Sequence, residues 1–388
     1  MSFLKEKATA HLQNVILPFW KNLKDNEFGG YYGYVDFDLK VNKKAEKGCI
    51  LNSRILWFFS NAYLTLKDES IIPYAKHAYE FMKKNCFDGE NGGIYWSLNY
   101  DGTPSDTTKH TYNQAFAIYA LSSYYDATGD EEALKLANGL YDIIENKMTD
   151  ELGYLEAFTV DFKPESNEKL SENGVMAEKT MNTLLHVFEA YTECVRVSGH
   201  EGMKNRLYFM LDVIEKHLYN PELERQEVFF DREYNTLIDL HSYGHDIEAA
   251  WLIDRCLDVL NDEDVNKVIS PITQILTEKI YNRAYRDHSL LNECEKGVDD
   301  LRRIWWVQAE AVVGFYNGYN RTGKEKYKDA AEDIYNYIEE KLVDKREGSE
   351  WYWCLDENHK PSSKQPIVEP WKCPYHNGRM CFELINRA

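Results

Sequence analysis

The sequence repeats one pattern six times: a turn rich in aromatic residues and glycine is followed by a mostly apolar helix. The turns occupy residues 28–32, 92–96, 152–155, 228–230, 289–292 and 350–353. They recur roughly every 60 to 76 residues, and such a period is typical of a repeated supersecondary unit. A chain of 388 residues ordinarily suggests two or three domains. Six repeated units can instead close into one ring, so we expect a single catalytic domain over residues 1–388.

Each unit pairs an amphipathic helix with a more apolar one. Residues 131–148 carry apolar side chains at helical spacing, and Asp130 can cap that helix. Residues 111–128 are apolar on nearly every face, which indicates a helix buried on all sides. We therefore predict an all-α fold, an (α/α)6 barrel with six inner and six outer helices and short hairpins or loops at one mouth. The longer polar connection 161–172 predicts a mobile loop over that mouth.

Charge and hydropathy narrow the function classes. The formal net charge is −20 and the isoelectric point is about 5.0, which argues against nucleic acid or an anionic membrane as the partner. No apolar run is long enough to span a membrane, and no secretory signal is evident at the N-terminus. The eight cysteines form no CxxC pair. We expect reduced thiols, a cytoplasmic location and no membrane partner.

Polar residues that could carry chemistry lie near the starts of the apolar helices. The main candidates, from four different helices, are Arg54, His186, His245, Glu248 and His376. If six such helices ring a common axis, these side chains converge at one end. That convergence predicts an enzyme rather than six unrelated core residues.

Each candidate alone has a plainer interpretation. A histidine such as His186, among apolar neighbours, is more often a satisfied core residue. His245 and Glu248 share a helix face, which also suits a capped helix start or a metal site. We expect no metal, because the histidines do not have the ligand spacing of a closed metal site. Arg54 needs acceptors, either protein carboxylates or a polar ligand, because a buried unpaired guanidinium is prohibitively costly.

Two tryptophans near these positions can stack on the apolar faces of sugar rings. Trp306 and Trp371 both adjoin the predicted site, and Glu310 shares the helix face of Trp306. For Trp57 and Trp251 we favour a role in filling the core.

Long segments of the chain match a known family. They are residues 25–36, 47–60, 170–186, 242–252, 304–319 and 366–381. With these segments the chain resembles the cellobiose 2-epimerases, within the N-acylglucosamine 2-epimerase superfamily, over essentially its whole length. That family has an (α/α)6 barrel fold, in agreement with the repeat.

The resemblance implies reversible inversion at C2 of the reducing-end glucose of cellobiose, with no metal or redox cofactor. It implies that His245 and His376 act as general acid and base, and that Glu248 supports His245. It also implies that His186 takes part in ring opening. The substrate-binding positions that it implies are Arg54, Tyr112, Asn182, Trp306, Glu310 and Trp371.

Other functions remain open from the sequence. Within the superfamily the alternatives are an N-acylglucosamine 2-epimerase and a mannose-type aldose–ketose isomerase. More remote alternatives are an inverting glycoside hydrolase, with Glu248 and Glu310 as its carboxylates, and a non-catalytic sugar-binding protein. In each case the partner is a small carbohydrate, and we expect a monomer.

Overall fold

The computed structural model describes residues 3–171 and 173–387. Within them the α-helices, in chain order, are α1 (Phe3–His11), α2 (Leu17–Asn22), α3 (Cys49–Leu66), α4 (Ile72–Phe81), α5 (Thr111–Thr128), α6 (Glu131–Lys147), α7 (Met181–Ser198), α8 (Glu201–Val213), α9 (Tyr243–Leu260), α10 (Glu263–Arg283), α11 (Trp305–Thr322), α12 (Glu325–Tyr337) and α13 (His376–Arg387). A 3₁₀ turn precedes α4 at Glu69–Ile71. Wider π-helical turns follow α1, α4, α8 and α12 at Leu12–Ile16, Met82–Cys86, Ile214–Leu218 and Ile338–Leu342.

The helices form two concentric rings. The inner ring runs α3, α5, α7, α9, α11 and α13, and it closes where α13 packs against α3. Outside it, α4, α6, α8, α10 and α12 each pack on the inner helix that precedes them, and α1 packs on α13. Helix α1 continues through its π-helical turn into α2, so the two together form the sixth outer helix. The (α/α)6 barrel predicted from the repeat is confirmed.

The burial of the two helix types follows their sequence patterns. Most of α5 is buried, including polar residues such as Asn113 and Gln114. In α6 only one stripe is buried, formed by Ala133, Ala137, Leu140 and Ile144.

The predicted cap of α6 is present as well. The carboxylate of Asp130 accepts hydrogen bonds from the backbone N–H groups of Glu132 and Ala133 at 3.0 and 3.2 Å, which satisfies donors that the first turn leaves unpaired.

Short antiparallel strands join the units at one end of the barrel. In chain order the strands are β1 (Lys47–Gly48), β2 (Ser97–Leu98), β3 (Pro104–Asp106), β4 (Lys109–His110), β5 (Ala157–Phe158), β6 (Lys179–Thr180), β7 (Tyr219–Asn220), β8 (Arg225–Gln226), β9 (Phe229–Phe230), β10 (Leu240–Ser242), β11 (Tyr285–Arg286), β12 (Ser289–Leu290), β13 (Glu293–Glu295), β14 (Val298–Asp300), β15 (Arg303–Ile304) and β16 (Cys354–Leu355).

The strand pairing links each unit to the next. The strand before each of the first five inner helices pairs with a strand of the following unit, in the ladders β1–β2, β4–β5, β6–β9, β10–β13 and β15–β16. A bridge between Val35 and Val368 joins the first unit to the last. The strands therefore gather at the N-terminal ends of the inner helices.

The glycine-containing turns form tight hairpins at this same end, as predicted. Lys24 bridges Tyr31 around the first turn, and Phe87 bridges Ile94 around the second. Gly30 has a φ of +65°, and a Cβ there would lie 2.7 Å from the ring of Phe81. The turn therefore requires glycine at that position.

A buried lysine anchors each of the first three hairpins to the strand before the next inner helix. The Nζ of Lys109 donates to Asp88 Oδ2 and to the carbonyl of Gly92, both at 3.0 Å. Lys47 makes the equivalent contacts with Asp25 and Gly29. Lys179 pairs likewise with Asp150 of the third hairpin, at 2.8 Å. Repetition of this pair explains how each of these three turns holds the start of an inner helix in a fixed place.

None of the helices in the described residues is long and apolar enough to cross a membrane. All eight cysteines are free thiols, and all but Cys294 are buried.

We expect Lys109→Met to destabilise the protein by about 3–5 kcal/mol, because it leaves the buried Asp88 carboxylate without its counter-charge. Urea unfolding measures the difference. The control is Lys163→Met, which removes a lysine whose side chain is 76% exposed from its pair with Asp161 and is expected to change stability little. Equal effects of the two substitutions would contradict the role given to the buried pair.

Candidate active site

A cavity of about 340 Å³ opens at the hairpin end of the barrel, and every inner helix contributes to its wall. The predicted site residues on that wall are Arg54, Tyr112, Asn182, His186, His245, Glu248, Trp306, Trp371 and His376. The volume lies in the range of small-molecule sites. The predicted convergence is therefore present, while the roles of these residues remain predictions.

Glu310, predicted to be a substrate-binding residue, lies one layer behind the cavity wall. Its side chain is fully buried. Its Oε1 lies within hydrogen-bonding distance of His376 Nδ1, at 2.7 Å, and its Oε2 accepts a hydrogen bond from the indole N–H of Trp251 at 2.9 Å. The structure thus gives Glu310 a different place from the predicted one: it supports a histidine that faces the cavity.

Arg379 connects three carboxylates from three different inner helices. Its Nη1 donates to Glu189 Oε1 on α7 at 2.5 Å, and its Nη2 donates to Glu310 Oε1 on α11 at 2.6 Å. The same Nη2 donates to Glu248 Oε1 on α9. All four side chains are almost wholly buried, so their charges depend on one another.

His186 is held by one of these carboxylates. Its Nδ1 lies 2.9 Å from Glu189 Oε2, and the hydroxyl of Tyr375 donates to the same oxygen at 2.5 Å. Because His186 also lines the cavity, its other ring nitrogen is the one available to a ligand.

His245 has a support that differs from the expected one. Its Nδ1 is hydrogen-bonded to Ser242 Oγ at 2.7 Å, whereas the resemblance implied that Glu248 supports it. The carboxyl of Glu248 instead meets Arg379 and lies 4.0 Å from His376 Nδ1. Within the described residues Glu248 Oε2 has no hydrogen-bond partner, although Glu248 lines the cavity.

Trp306 lies against both histidines of the predicted acid–base pair. Its ring centroid is 4.8 Å from that of His245 and 5.4 Å from that of His376. The two imidazoles therefore flank one indole at the same cavity.

Arg54 is a buried cation whose contacts are with neutral groups. Its Nη2 donates to the Tyr112 hydroxyl at 2.8 Å, and its guanidinium lies 4.1 Å from the ring centre of Phe116. In the described part of the chain its Nε has no hydrogen-bond partner, and none of the carboxylates there forms an ion pair with it. Of the two kinds of acceptor expected from the sequence, a polar ligand is the one that fits.

The electrostatic environment keeps the three histidines neutral. Burial lowers the pKa of His245 to about 3. Burial, together with Arg379 and Arg54, places the pKa of His376 well below its usual value. Burial also lowers the pKa of His186, against the opposing effect of Glu189. Near neutral pH all three are imidazoles that can accept a proton.

The carboxyl groups around Arg379 are not equivalent. Burial raises carboxyl pKa values, but Arg379 and His186 outweigh it and hold the pKa of Glu189 well below its usual range. Burial raises the pKa of both Glu248 and Glu310. Glu310 accepts hydrogen bonds from Trp251 and Arg379, whereas Glu248 accepts one, from Arg379. If these two groups share a proton, it therefore resides on Glu248.

The same cluster has the spacing of a metal site. One ligand atom each of Glu248, Glu310 and His376 lie within 4.8 Å of one another. However, Nη2 of Arg379 donates to both carboxylates and lies 3.4 Å from His376 Nδ1. The guanidinium thus holds the position that a metal cation would need, and a metal-free site remains our prediction.

The predicted loop 161–172 reaches the cavity mouth, where Lys169 and Leu170 line the wall. The ammonium of Lys169 bonds Asp106 at 2.7 Å and Thr108 at 2.8 Å. Glu172 lies outside the described residues, and the mobility of the loop remains a prediction.

Sequence reasoning did not assign the supporting residues Glu189, Trp251, Tyr375 and Arg379. A signal was present for two of them. Glu189 follows His186 by three residues, and Arg379 follows His376 by three, so each lies on the face of its histidine.

Comparison with known proteins identifies the family. Residues 30–377 match the model of the family described as N-acylglucosamine 2-epimerase (GlcNAc 2-epimerase). The chain belongs to the N-acylglucosamine 2-epimerase family. The matched span contains all ten predicted site residues of this family member.

Similar proteins in the family are named cellobiose 2-epimerases. The chain is 52% identical to that of Eubacterium cellulosolvens over 396 positions, covering 98% of each chain. It is 51% identical to that of Ruminococcus albus over 388 positions, covering 100% of this chain and 99% of the relative. The solved structure of cellobiose 2-epimerase from Bacillus thermoamylovorans superposes with a TM-score of 0.96 at 45% identity, covering 100% of both chains.

We expect Arg379→Met to destabilise the protein by roughly 3 kcal/mol or more near neutral pH, since it leaves three buried carboxyl groups without a cation. Their folded-state pKa values then rise above the unfolded ones. A group with a raised folded pKa contributes stability at low pH that is lost as the pH increases. The deficit relative to the unsubstituted protein should therefore be smaller at about pH 5 than at about pH 8, as measured by urea unfolding. Arg232→Met, at an exposed pair with Asp150, serves as the control. A deficit that does not depend on pH would contradict the charge network.

Proposed function

We propose that this protein catalyses the reversible C2 epimerisation of the reducing-end glucose of cellobiose and related β-1,4-linked disaccharides, giving a mannose unit. The observation that carries the proposal is the pair His245 and His376, two neutral imidazoles that flank the indole of Trp306 at one cavity. The 50–52% full-length identity to cellobiose 2-epimerases supports this choice of substrate.

The reaction requires an open-chain aldehyde before C2 becomes acidic. His186 lines the cavity and is backed by the ionised Glu189, so it can move a proton between the ring oxygen and the anomeric hydroxyl. Its neutral form accepts a proton, and the adjacent carboxylate stabilises the imidazolium that results.

Epimerisation then needs a base for the C2 hydrogen and an acid that returns a proton to the opposite face. His376 presents Nε2, because its Nδ1 is occupied by Glu310. His245 presents the nitrogen that Ser242 does not bind. Because the reaction is reversible, the two histidines exchange roles with direction.

Negative charge develops on the sugar oxygens O1 and O2 in the enediolate. Arg54, a buried cation that meets no carboxylate in the described structure, is a donor already in place for that charge. Such preorganised donors stabilise charge most effectively where water is excluded. The proposed mechanism requires no metal or redox cofactor.

The carboxyl geometry disfavours the hydrolase alternative. An inverting glycoside hydrolase needs two carboxyl groups about 6.5–9.5 Å apart, flanking the scissile bond. Oxygens of Glu248 and Glu310 instead lie within 4.8 Å of each other and share Nη2 of Arg379. Glu310 also lies behind the wall, so the pair cannot flank a bound glycosidic linkage.

We expect cellobiose incubated with the protein in heavy water to yield 4-O-glucosyl-mannose with deuterium at C2. A histidine that takes the C2 proton can exchange it with solvent, and the second histidine delivers a different proton. NMR of the products measures both the configuration and the label. Free glucose as the main product would overturn the proposed function in favour of hydrolysis. An epimer with full protium at C2 would rule out the enediolate route.

We expect His245→Ala and His376→Ala each to lower the rate of epimerisation by about 10² to 10⁴ or more, with unchanged circular dichroism. The double substitution should cost little more than either one, because groups that act as a unit are strongly non-additive. His288→Ala removes an exposed histidine outside the cavity and is the matched control. Near-normal turnover in either single variant would show that the pair is misassigned.

A further inference from the structure

Trp251 is a fully buried core residue that touches the catalytic network through a single polar atom. It lies on α9, and its indole N–H donates to Glu310 Oε2 at 2.9 Å. The ring also packs under the guanidinium of Arg379, whose central carbon lies 4.9 Å from the ring centre. The sequence alone indicated only a core-filling role for this tryptophan.

The donors around Glu310 determine where the proton toward His376 resides. Trp251 Nε1–H and the Arg379 guanidinium can only donate hydrogen bonds. They occupy Oε2 and Oε1 of Glu310, respectively. A carboxyl group that receives donors on both oxygens is stabilised in its ionised form. The remaining contact, from His376 Nδ1 to Oε1 at 2.7 Å, must then carry its hydrogen on Nδ1.

We propose that Trp251 is a positioning residue that keeps Glu310 ionised and thereby holds His376 in the Nδ1–H tautomer. In that tautomer Nε2 carries the lone pair that faces the cavity and can take the C2 proton. This inference rests on the proposed function for its catalytic consequence, whereas the tautomer itself can be measured without substrate.

Several charged groups surround Glu310, so a single hydrogen bond can shift the ionisation of its carboxyl group. The carboxyl group of Glu310 faces Arg379 and His376 on α13, Glu248 on α9 and Glu189 on α7. It also acts electrostatically on His245. The groups acting on His376 are Arg379, Arg54, His186 and Glu189. Arg379 is shared among three carboxylates, so Trp251 is the donor that Glu310 does not share.

The test compares Trp251→Phe with the unsubstituted protein across pH. Loss of the N–H removes a bond to the ionised form, so the pKa of Glu310 rises. Below that raised pKa, Glu310 is neutral and His376 is a weaker base. We expect kcat for cellobiose epimerisation to fall about tenfold or more near neutral pH, with KM changed by less than about twofold. The deficit should shrink as the pH increases and Glu310 ionises again.

Trp351→Phe is the matched control. Trp351 is also fully buried, and its indole N–H donates to His11 Nε2 at 2.7 Å, outside the cavity. The change removes the same atoms and one buried hydrogen bond. We expect it to alter stability without altering the pH dependence of kcat.

Two further measurements separate the hydrogen bond from packing and from the proposed reaction. Benzothienylalanine at position 251 keeps the shape of the indole but replaces its N–H with sulfur, and it should reproduce the pH effect of Trp251→Phe. The ¹⁵N shifts of His376, assigned with the His376→Ala variant, should show the Nδ1–H tautomer in the unsubstituted protein and lose it in both Trp251 variants.

The outcomes are distinguishable. An unsubstituted protein that does not epimerise cellobiose would overturn the proposed function, and the ¹⁵N spectrum would still decide the tautomer. A Trp251→Phe deficit that is the same at every pH, or an Nδ1–H tautomer that persists in the benzothienylalanine protein, would overturn the role given to Trp251.

Discussion

The site depends on one buried cation. Arg379, on the last inner helix, compensates carboxylates from α7, α9 and α11. Two of these carboxylates in turn hold histidines, Glu189 holding His186 and Glu310 holding His376. Without the guanidinium, three acidic side chains would share a volume from which water is largely excluded, and at least two would have to be protonated. At least one of the cavity histidines would then lose its ionised support.

The barrel fold brings residues that are distant in the sequence to one point and holds them there, as this arrangement requires. The strand ladders connect each unit to the next, and the bridge between Val35 and Val368 joins the first unit to the last. Because α13 packs against both α3 and α11, Arg54 and Glu310 approach His376 from opposite sides. The lysine–aspartate pairs of the early hairpins belong to the same constraint, since each holds a hairpin against the strand that precedes an inner helix.

Much of the fold was predictable because the sequence repeats one turn-and-helix pattern six times. The period of the glycine-containing turns and the contrast between the α5 and α6 patterns were sufficient for the two rings. The cavity wall was predictable for a similar reason, because polar residues at the starts of apolar helices that ring a common axis converge at one end. Nine of the ten predicted residues reach that wall.

The pairing between side chains was not predictable, because it is set by how the inner helices are rotated against one another. Glu248 is three residues from His245 on the same helix face, and the family resemblance implied that it supports that histidine. In the barrel, the side chain of Glu248 points toward Arg379, which is 131 positions away in the chain, and Ser242 takes its place beside His245. The depth of Glu310 was not predictable for the same reason, since no local pattern reveals that it lies behind His376. Position on a helix indicates a face, but burial depth comes only from the packing.

The two histidines of the proposed pair therefore have supports of different kinds, and this difference bears on a reaction that must run both ways. Glu310 is a charged acceptor that favours one tautomer of His376 and stabilises its protonated form. Ser242 presents a hydroxyl, which can donate to Nδ1 of His245 or accept from it by a rotation of its hydrogen. His245 can thus exchange its tautomer at little energetic cost, whereas His376 cannot. In the proposed reaction, when His376 takes the C2 proton, the neighbouring carboxylate stabilises the charge that it gains. His245 delivers its proton as an imidazolium and returns to the neutral form with its hydrogen on Nδ1, which Ser242 Oγ accepts. In the opposite direction the neutral His245, with the hydrogen on Nδ1 directed at Ser242 Oγ, offers its other nitrogen as the acceptor. An adaptable support on one side and a fixed one on the other satisfies both directions without moving either ring away from Trp306.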